Sequence, residues 1–111
     1  MNNRKKGALA EENVVNFLQA NGFLILDRNF YAAKFGEIDI VASKEGVLHF
    51  IEVKSAYRDF EPIYNISRKK LNHLINSINF YLKSKRLNMA WVIDVAVVKG
   101  EEIELLENVT I

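Results

Sequence analysis

Apolar residues recur with a helical period over the first twenty positions. Ala10, Val14, Phe17 and Leu18 fall on one side, which predicts a helix over about 5–21. Asn21-Gly22 is a stop signal, with Gly22 suited to the left-handed position after a helix. The period then changes. Short apolar runs at 23–26, 37–43 and 47–54 predict three strands, the last two joined by a turn containing Gly46. Residues 58–66 hold the only Pro and predict a loop. Leu71, Leu74, Ile75, Ile78 and Leu82 restore the helical period over about 67–83. Strands at 91–98 and around 102–106, turned at Lys99-Gly100, complete the order α-β-β-β-α-β-β.

The middle strands are apolar at nearly every position: Ile38, Ile40 and Val41, then Val47, Leu48, Phe50, Ile51 and Val53. Such strands are central ones, covered on both faces. The two helices are the available covers. The expected architecture is therefore one compact α/β domain over residues 1–111, in three layers, with a mixed central sheet and a helix on each side.

Asp39, Glu52 and Lys54 interrupt this apolar pattern. A buried charge without a partner costs several kcal/mol or neutralises itself by a pKa shift. With a two-residue turn at Glu45-Gly46, Ser43 faces Leu48 and Asp39 faces Glu52. Directly opposed residues have Cα atoms roughly 4.5–5.5 Å apart and share a face. Strand alternation then adds Lys54 to the face of Glu52. A divalent cation converts the repulsion between the two carboxylates into attraction, and hard oxygen ligands suit Mg²⁺ or Mn²⁺. Such an ion polarises a phosphoryl oxygen and lowers the pKa of a water, which Lys54 can orient. The same register sets Glu37 opposite Lys54, so a Glu37–Lys54 ion pair is an alternative role for both. In a purely structural reading, Glu52 and Lys54 are strand-end surface residues and Asp39 pairs with a cation.

Composition changes the picture in two ways. The chain has no Cys, which excludes disulfides and thiolate zinc sites. The net charge is only +1, but it is unevenly placed. Between Pro62 and Ile93 there is no acid, while Arg68, Lys69, Lys70, Lys83, Lys85 and Arg86 all fall there. Arg4, Lys5 and Lys6 form a second basic cluster. These build a basic face for a polyanion, or a solvated helix surface. Glu11 and Glu12 interrupt any signal-peptide region, and no apolar run could span a bilayer. The expectation is a cytoplasmic protein with no membrane partner. Asp94, inside an apolar strand, is expected to pair structurally with a nearby cation. His49 alternates away from Glu52. Trp91, Phe50 and Phe80 read as core, and Tyr57, Phe60 and Tyr64 as loop aromatics able to touch bases.

Asp39 followed by Glu52-x-Lys54 on the next strand resembles the motif of the PD-(D/E)xK nuclease superfamily. Gly7 and Glu11, Asn21-Gly22-Phe23, Arg28-Asn29-Phe30, Gly36-Glu37-Ile38-Asp39, Phe50-Ile51-Glu52-Val53-Lys54 and Lys70 together resemble the YraN-like (UPF0102) family, from about Gly7 to Val98. That family is itself related to Holliday-junction resolvases. The resemblance implies a restriction-endonuclease-like fold and a Mg²⁺-dependent DNA endonuclease, with Mn²⁺ as an alternative ion and branched DNA as a candidate substrate. It implies that Asp39 and Glu52 bind metal with the Val53 carbonyl, that Lys54 is the catalytic lysine, and that Glu11 points toward the metal and its water. Lys70 would lie near the scissile phosphate, with Arg68, Lys69 and Ser55 as further nucleic-acid contacts. Ala56 stands where the family commonly carries Arg after the hydroxyl residue, with Arg58 close by, and Ala10 replaces a common Gly. A junction enzyme would need a homodimer to present two sites to a near two-fold substrate. The competing expectation is a nucleic-acid-binding module that keeps this fold without cleaving.

Overall fold

In a computed structural model of the chain, the backbone is described for residues 3–55 and 68–109, and side chains for residues 8–55 and 68–109. Arg4, Lys5, Lys6, Ala56, Tyr57, Arg58, Phe60 and Tyr64, singled out in the sequence, lie outside the described side chains. The elements are α1 (Asn3–Ala20), β1 (Leu24–Tyr31), a 3₁₀ turn (Ala33–Phe35), β2 (Glu37–Lys44), β3 (Val47–Ser55), α2 (Arg68–Lys85), β4 (Trp91–Lys99) and β5 (Glu102–Leu106). The strands form a single sheet in the order β1-β2-β3-β4-β5. Only β3 and β4 run parallel, and α2 lies in the crossover between them. The sheet is mixed, as expected.

Each helix covers one face. Ala10, Val14, Val15 and Leu18 of α1 pack with Ile40, Ala42, Ile51, Ala96 and Val98. Ile78 and Tyr81 of α2 pack with Ile38, Val41, Leu48, Phe50 and Ile93. Burying these side chains supplies most of the driving force, since each fully buried aliphatic side chain contributes about 1.5–3 kcal/mol. The α1 stop is a Schellman motif. The Phe23 N–H donates to the Leu18 carbonyl (3.0 Å), the Gly22 N–H donates to the Gln19 carbonyl (3.2 Å), and Gly22 takes φ +87°.

The β2–β3 hairpin turns on two residues, Glu45 and Gly46, both left-handed (φ 52° and 80°). Positive φ at both central positions marks the type I′ turn, whose twist matches the strands. Ser43 pairs with Leu48, as the two-residue turn requires, and the ladder runs on to Ile40–Ile51. It stops there. Asp39 and Glu52 are not ladder partners, so the direct facing expected from the register is not reached.

The reason lies in the strand on the other side. β1 runs through Tyr31, not Leu26, and pairs Arg28 with Ile40 and Phe30 with Ile38. Residues two apart on a regular strand share a face. Yet Ile40 packs toward α1, whereas Ile38 packs toward α2. Arg28 pairs with Glu12 of α1 (2.9 Å), whereas the Phe30 ring meets Tyr81 of α2 (centroids 4.9 Å). Both strands therefore turn over between these pairs, at Asn29 (φ 51°) and Asp39. That turnover ends the β2–β3 ladder and opens a fork beside Asp39.

Candidate metal and phosphate site

The fork exposes a backbone donor that β2 no longer satisfies. The Asp39 carboxylate takes its place: the Val53 N–H donates to Asp39 Oδ2 (2.9 Å). This fixes the Asp39 side chain against β3, beside Glu52. Glu52 in turn is held by two ammonium groups on one oxygen. Lys70 Nζ is 2.8 Å from Glu52 Oε1, and Lys54 Nζ is 3.5 Å from the same atom. Lys54 thus pairs with Glu52, not with Glu37.

Four carboxylates share this corner. Burial raises the Asp39 pKa to about 6 against the opposing Val53 hydrogen bond, and the charges of Glu11, Glu52 and Glu37 raise it further. Burial also raises Glu11, opposed by a hydrogen bond from Asn29, with Glu37 adding to the rise and Arg28 opposing it. Asn29 is the left-handed residue at the strand turnover, so the same distortion that opens the fork also anchors Glu11. Lys54 is lowered by burial first and then by Lys70, with Glu52 pulling the other way. Lys70 is raised, chiefly by Glu52.

These groups border a pocket of about 140 Å³ lined by Glu37, Asp39, Glu52 and Lys70 together with Phe35, His73 and Ser77. The Ser77 hydroxyl lies within hydrogen-bond distance of the Phe35 (3.1 Å) and His73 (2.9 Å) carbonyls, tying the 3₁₀ turn to α2. Phe35, His73 and Ser77 were not singled out from the sequence as site residues. Phe35 sits just before Gly36-Glu37-Ile38-Asp39, and His73 is one helical turn after Lys69-Lys70. Those spacings are the signals that could have found them.

Glu11, Asp39, Glu52, Lys54 and Lys70 therefore come together, and Val53 joins them through its N–H. Ser55 lies exposed at the end of β3, outside the pocket lining. Arg68 and Lys69 are exposed on α2 and border a shallow depression with Asn72, His73 and Asn76. That depression meets the carboxylate pocket at His73.

The donor set fits a hard divalent ion. Carboxylate oxygens are the ligands Mg²⁺ and Mn²⁺ prefer, and crowded acids with a raised pKa are what a dication relieves. Asp94 has a different role. It is fully buried, its Oδ2 is 2.5 Å from His49 Nδ1, and its Oδ1 accepts the Asn108 N–H (2.9 Å). A cation was the expected partner of Asp94; the observed partners are the His49 ring and a backbone N–H. Glu107 approaches both, the three ligand atoms lying within 4.8 Å of one another. The mutual hydrogen bonding of His49 and Asp94 makes this a clamp that fastens the segment after β5 to the sheet.

Among the described residues, no helix is long and apolar enough to cross a membrane. A family model described as "Uncharacterised protein family UPF0102" matches residues 10–98. Similar proteins carry the same family designation. One from a Sulfurovum species is 46% identical over 105 residues, covering 95% of this chain and 93% of its own. One from Wolinella succinogenes is 53% identical over 108 residues, covering 97% and 98%. One from Helicobacter hepaticus is 49% identical over 111 residues, covering 100% and 99%.

Proposed function

The chain belongs to the uncharacterised protein family UPF0102, and on that premise we propose that it is a Mg²⁺-dependent DNA endonuclease with a restriction-endonuclease-like fold. The observation that carries the reading is the fork. There Asp39 is pinned by the Val53 N–H beside Glu52, with two lysines converging on Glu52. Asp39 and Glu52 would hold the ion, with the Val53 carbonyl as a third oxygen and Glu11 behind them. A bound divalent ion would polarise a phosphoryl oxygen and supply an activated water.

The remaining chemistry belongs to the chain. Lys54, rooted on a paired strand, would place a positive charge beside the phosphoryl oxygens that carry the negative charge of the transition state. Its lowered pKa makes proton exchange with a nearby water easier than for an exposed lysine. Arg68 and Lys69 would neutralise neighbouring phosphates, a contact that is independent of sequence and weakens with salt. Cleavage would leave a 5′-phosphate, as the superfamily resemblance implies. Branched DNA such as a four-way junction is a candidate substrate, and cutting it symmetrically would require a homodimer.

The test is a cleavage screen over duplex, single-stranded, flap and four-way DNA with Mg²⁺ or Mn²⁺. Wild type should cut at least one substrate, and Asp39→Ala should bind DNA without cutting. Binding without cleavage by wild type in either metal would replace the nuclease reading with a nucleic-acid-binding module of the same fold.

A further inference from the structure

The carboxylate pocket has a cation at its rim that belongs to neither α2 nor β3. Lys34 lies in the 3₁₀ turn, and its neighbour Phe35 lines the pocket. Lys34 is exposed, and its ammonium rests 5.6 Å from the centre of the Phe35 ring. A cation–π contact of this kind biases the side chain toward the rim without consuming its charge. Among the described residues Lys34 makes no ion pair, although four carboxylates crowd the corner nearby. The turn itself is fixed. The Ser77 hydroxyl lies 3.1 Å from the Phe35 carbonyl, which seats the turn against α2. Ser77 closes the α2 border of the pocket, and Lys70 opens it. Arg68 and Lys69, both exposed, stand just before that opening. About 12 Å of helix separates Lys69 from Ser77.

We propose that Lys34 is a second phosphate grip, and that one nucleic-acid strand crosses the carboxylate pocket along α2, held by Lys34 at the Ser77 end and by Arg68 and Lys69 at the other. The proposal deepens the nuclease reading above and rests on it. Two cationic ends separated by an acidic pocket suit a chain of charges. A small anion would occupy one end only. A nucleic-acid strand carries a phosphate about every 3.4 Å along its axis, so it can engage both ends while its middle lies over the carboxylates. Those carboxylates repel a phosphate until a divalent ion sits among them, so the grips hold the strand where the ion acts. Asn72 and Asn76, one helical turn apart, border the depression that meets the pocket at His73. Their amides can donate to phosphate or sugar oxygens between the grips.

The experiment measures fluorescence anisotropy of a short labelled DNA duplex and of its single strand, titrated with the purified full chain. Ca²⁺ replaces Mg²⁺ and Mn²⁺, and KCl is varied. Wild type is compared with Lys34→Gln, Lys34→Arg and Lys44→Gln, with circular dichroism to verify folding. Losing one phosphate contact should weaken binding about fivefold to tenfold near 0.1 M KCl and lower the salt slope by about one. Lys34→Arg keeps the charge and should keep the wild-type slope. Lys44 sits at the hairpin, roughly 17 Å of strand from Asp39, and its Gln variant should change affinity by less than about twofold. Unchanged affinity and slope in folded Lys34→Gln overturns the grip and leaves the nuclease reading standing. A loss in Lys34→Arg or Lys44→Gln equal to that in Lys34→Gln does the same. Wild type that binds neither DNA overturns the nuclease reading and the grip with it.

Discussion

Replacing Asp39 by Asn should stabilise the protein in EDTA at neutral pH. Asn keeps a carbonyl oxygen for the Val53 N–H and deletes a charge crowded by three other acids. The Asp39 pKa rises from 3.8 to about 6, a shift of roughly two units, and each unit is about 1.4 kcal/mol. The sign follows from proton binding. Between about pH 4 and pH 6 the native state holds the Asp39 proton and the unfolded state does not, so stability falls as pH rises through that window. The stabilisation from protonated Asp39 is fully present below about pH 4 and is lost above about pH 6. Asp39→Asn should therefore match wild type near pH 4 and exceed it by about 2–3 kcal/mol at pH 8, roughly 10 °C in Tm for a chain of this size. Glu11 is shifted in the same direction, so the variant-minus-wild-type difference is diagnostic and the wild-type curve alone is not. Urea and thermal melts from pH 4 to pH 8 measure it. A gap that does not grow with pH, or a variant less stable than wild type at pH 8, refutes the reading of Asp39 as a carboxylate held at electrostatic cost.

Three further outcomes follow from other parts of the molecule. Lys54→Met should lower metal-dependent cleavage about a hundredfold or more, as loss of a transition-state contact does, while Mn²⁺ titration shows binding retained. Asp94→Ala strips a buried His49 and the Asn108 N–H of their common acceptor, and urea denaturation should show a loss of about 3 kcal/mol with cleavage per folded molecule unchanged. Glu45→Asn places a residue tolerant of the left-handed region at a φ of 52°, and should raise stability by about 0.5–1 kcal/mol in the same assay.

The hairpin was legible in the sequence because a two-residue turn has one natural register, and Glu45-Gly46 is such a turn. It delivered Ser43 opposite Leu48 and carried the ladder as far as Ile40–Ile51. It could not report where pairing stops, because the fork depends on a turnover at Asn29 and Asp39 that involves a third strand. β1 itself looked short because Asp27, Arg28 and Asn29 break its apolar run. An edge strand tolerates them: Arg28 reaches Glu12, and Asp27 accepts a hydrogen bond from the Tyr81 hydroxyl (2.7 Å). The two core faces were readable from helical spacing, since Val14, Leu18 and Ile78 are fully buried. The basic stretch marked Lys70 only as part of a charged face, and its place at the site came from family resemblance. Its contact with Glu52 joins positions 18 apart through tertiary packing, which no local pattern encodes. His49 and Asp94 were each noticed, but their pairing across the parallel β3–β4 ladder needed the strand order.

The central claim is that Asp39 and Glu52 together hold a divalent ion at the fork. Anomalous scattering from Mn²⁺-soaked crystals of the full chain tests it most directly. A peak is expected within coordination distance, roughly 2.0–2.3 Å, of carboxylate oxygens of both Asp39 and Glu52. No peak at the fork at saturating Mn²⁺, or a peak only at His49, Asp94 and Glu107, would contradict it.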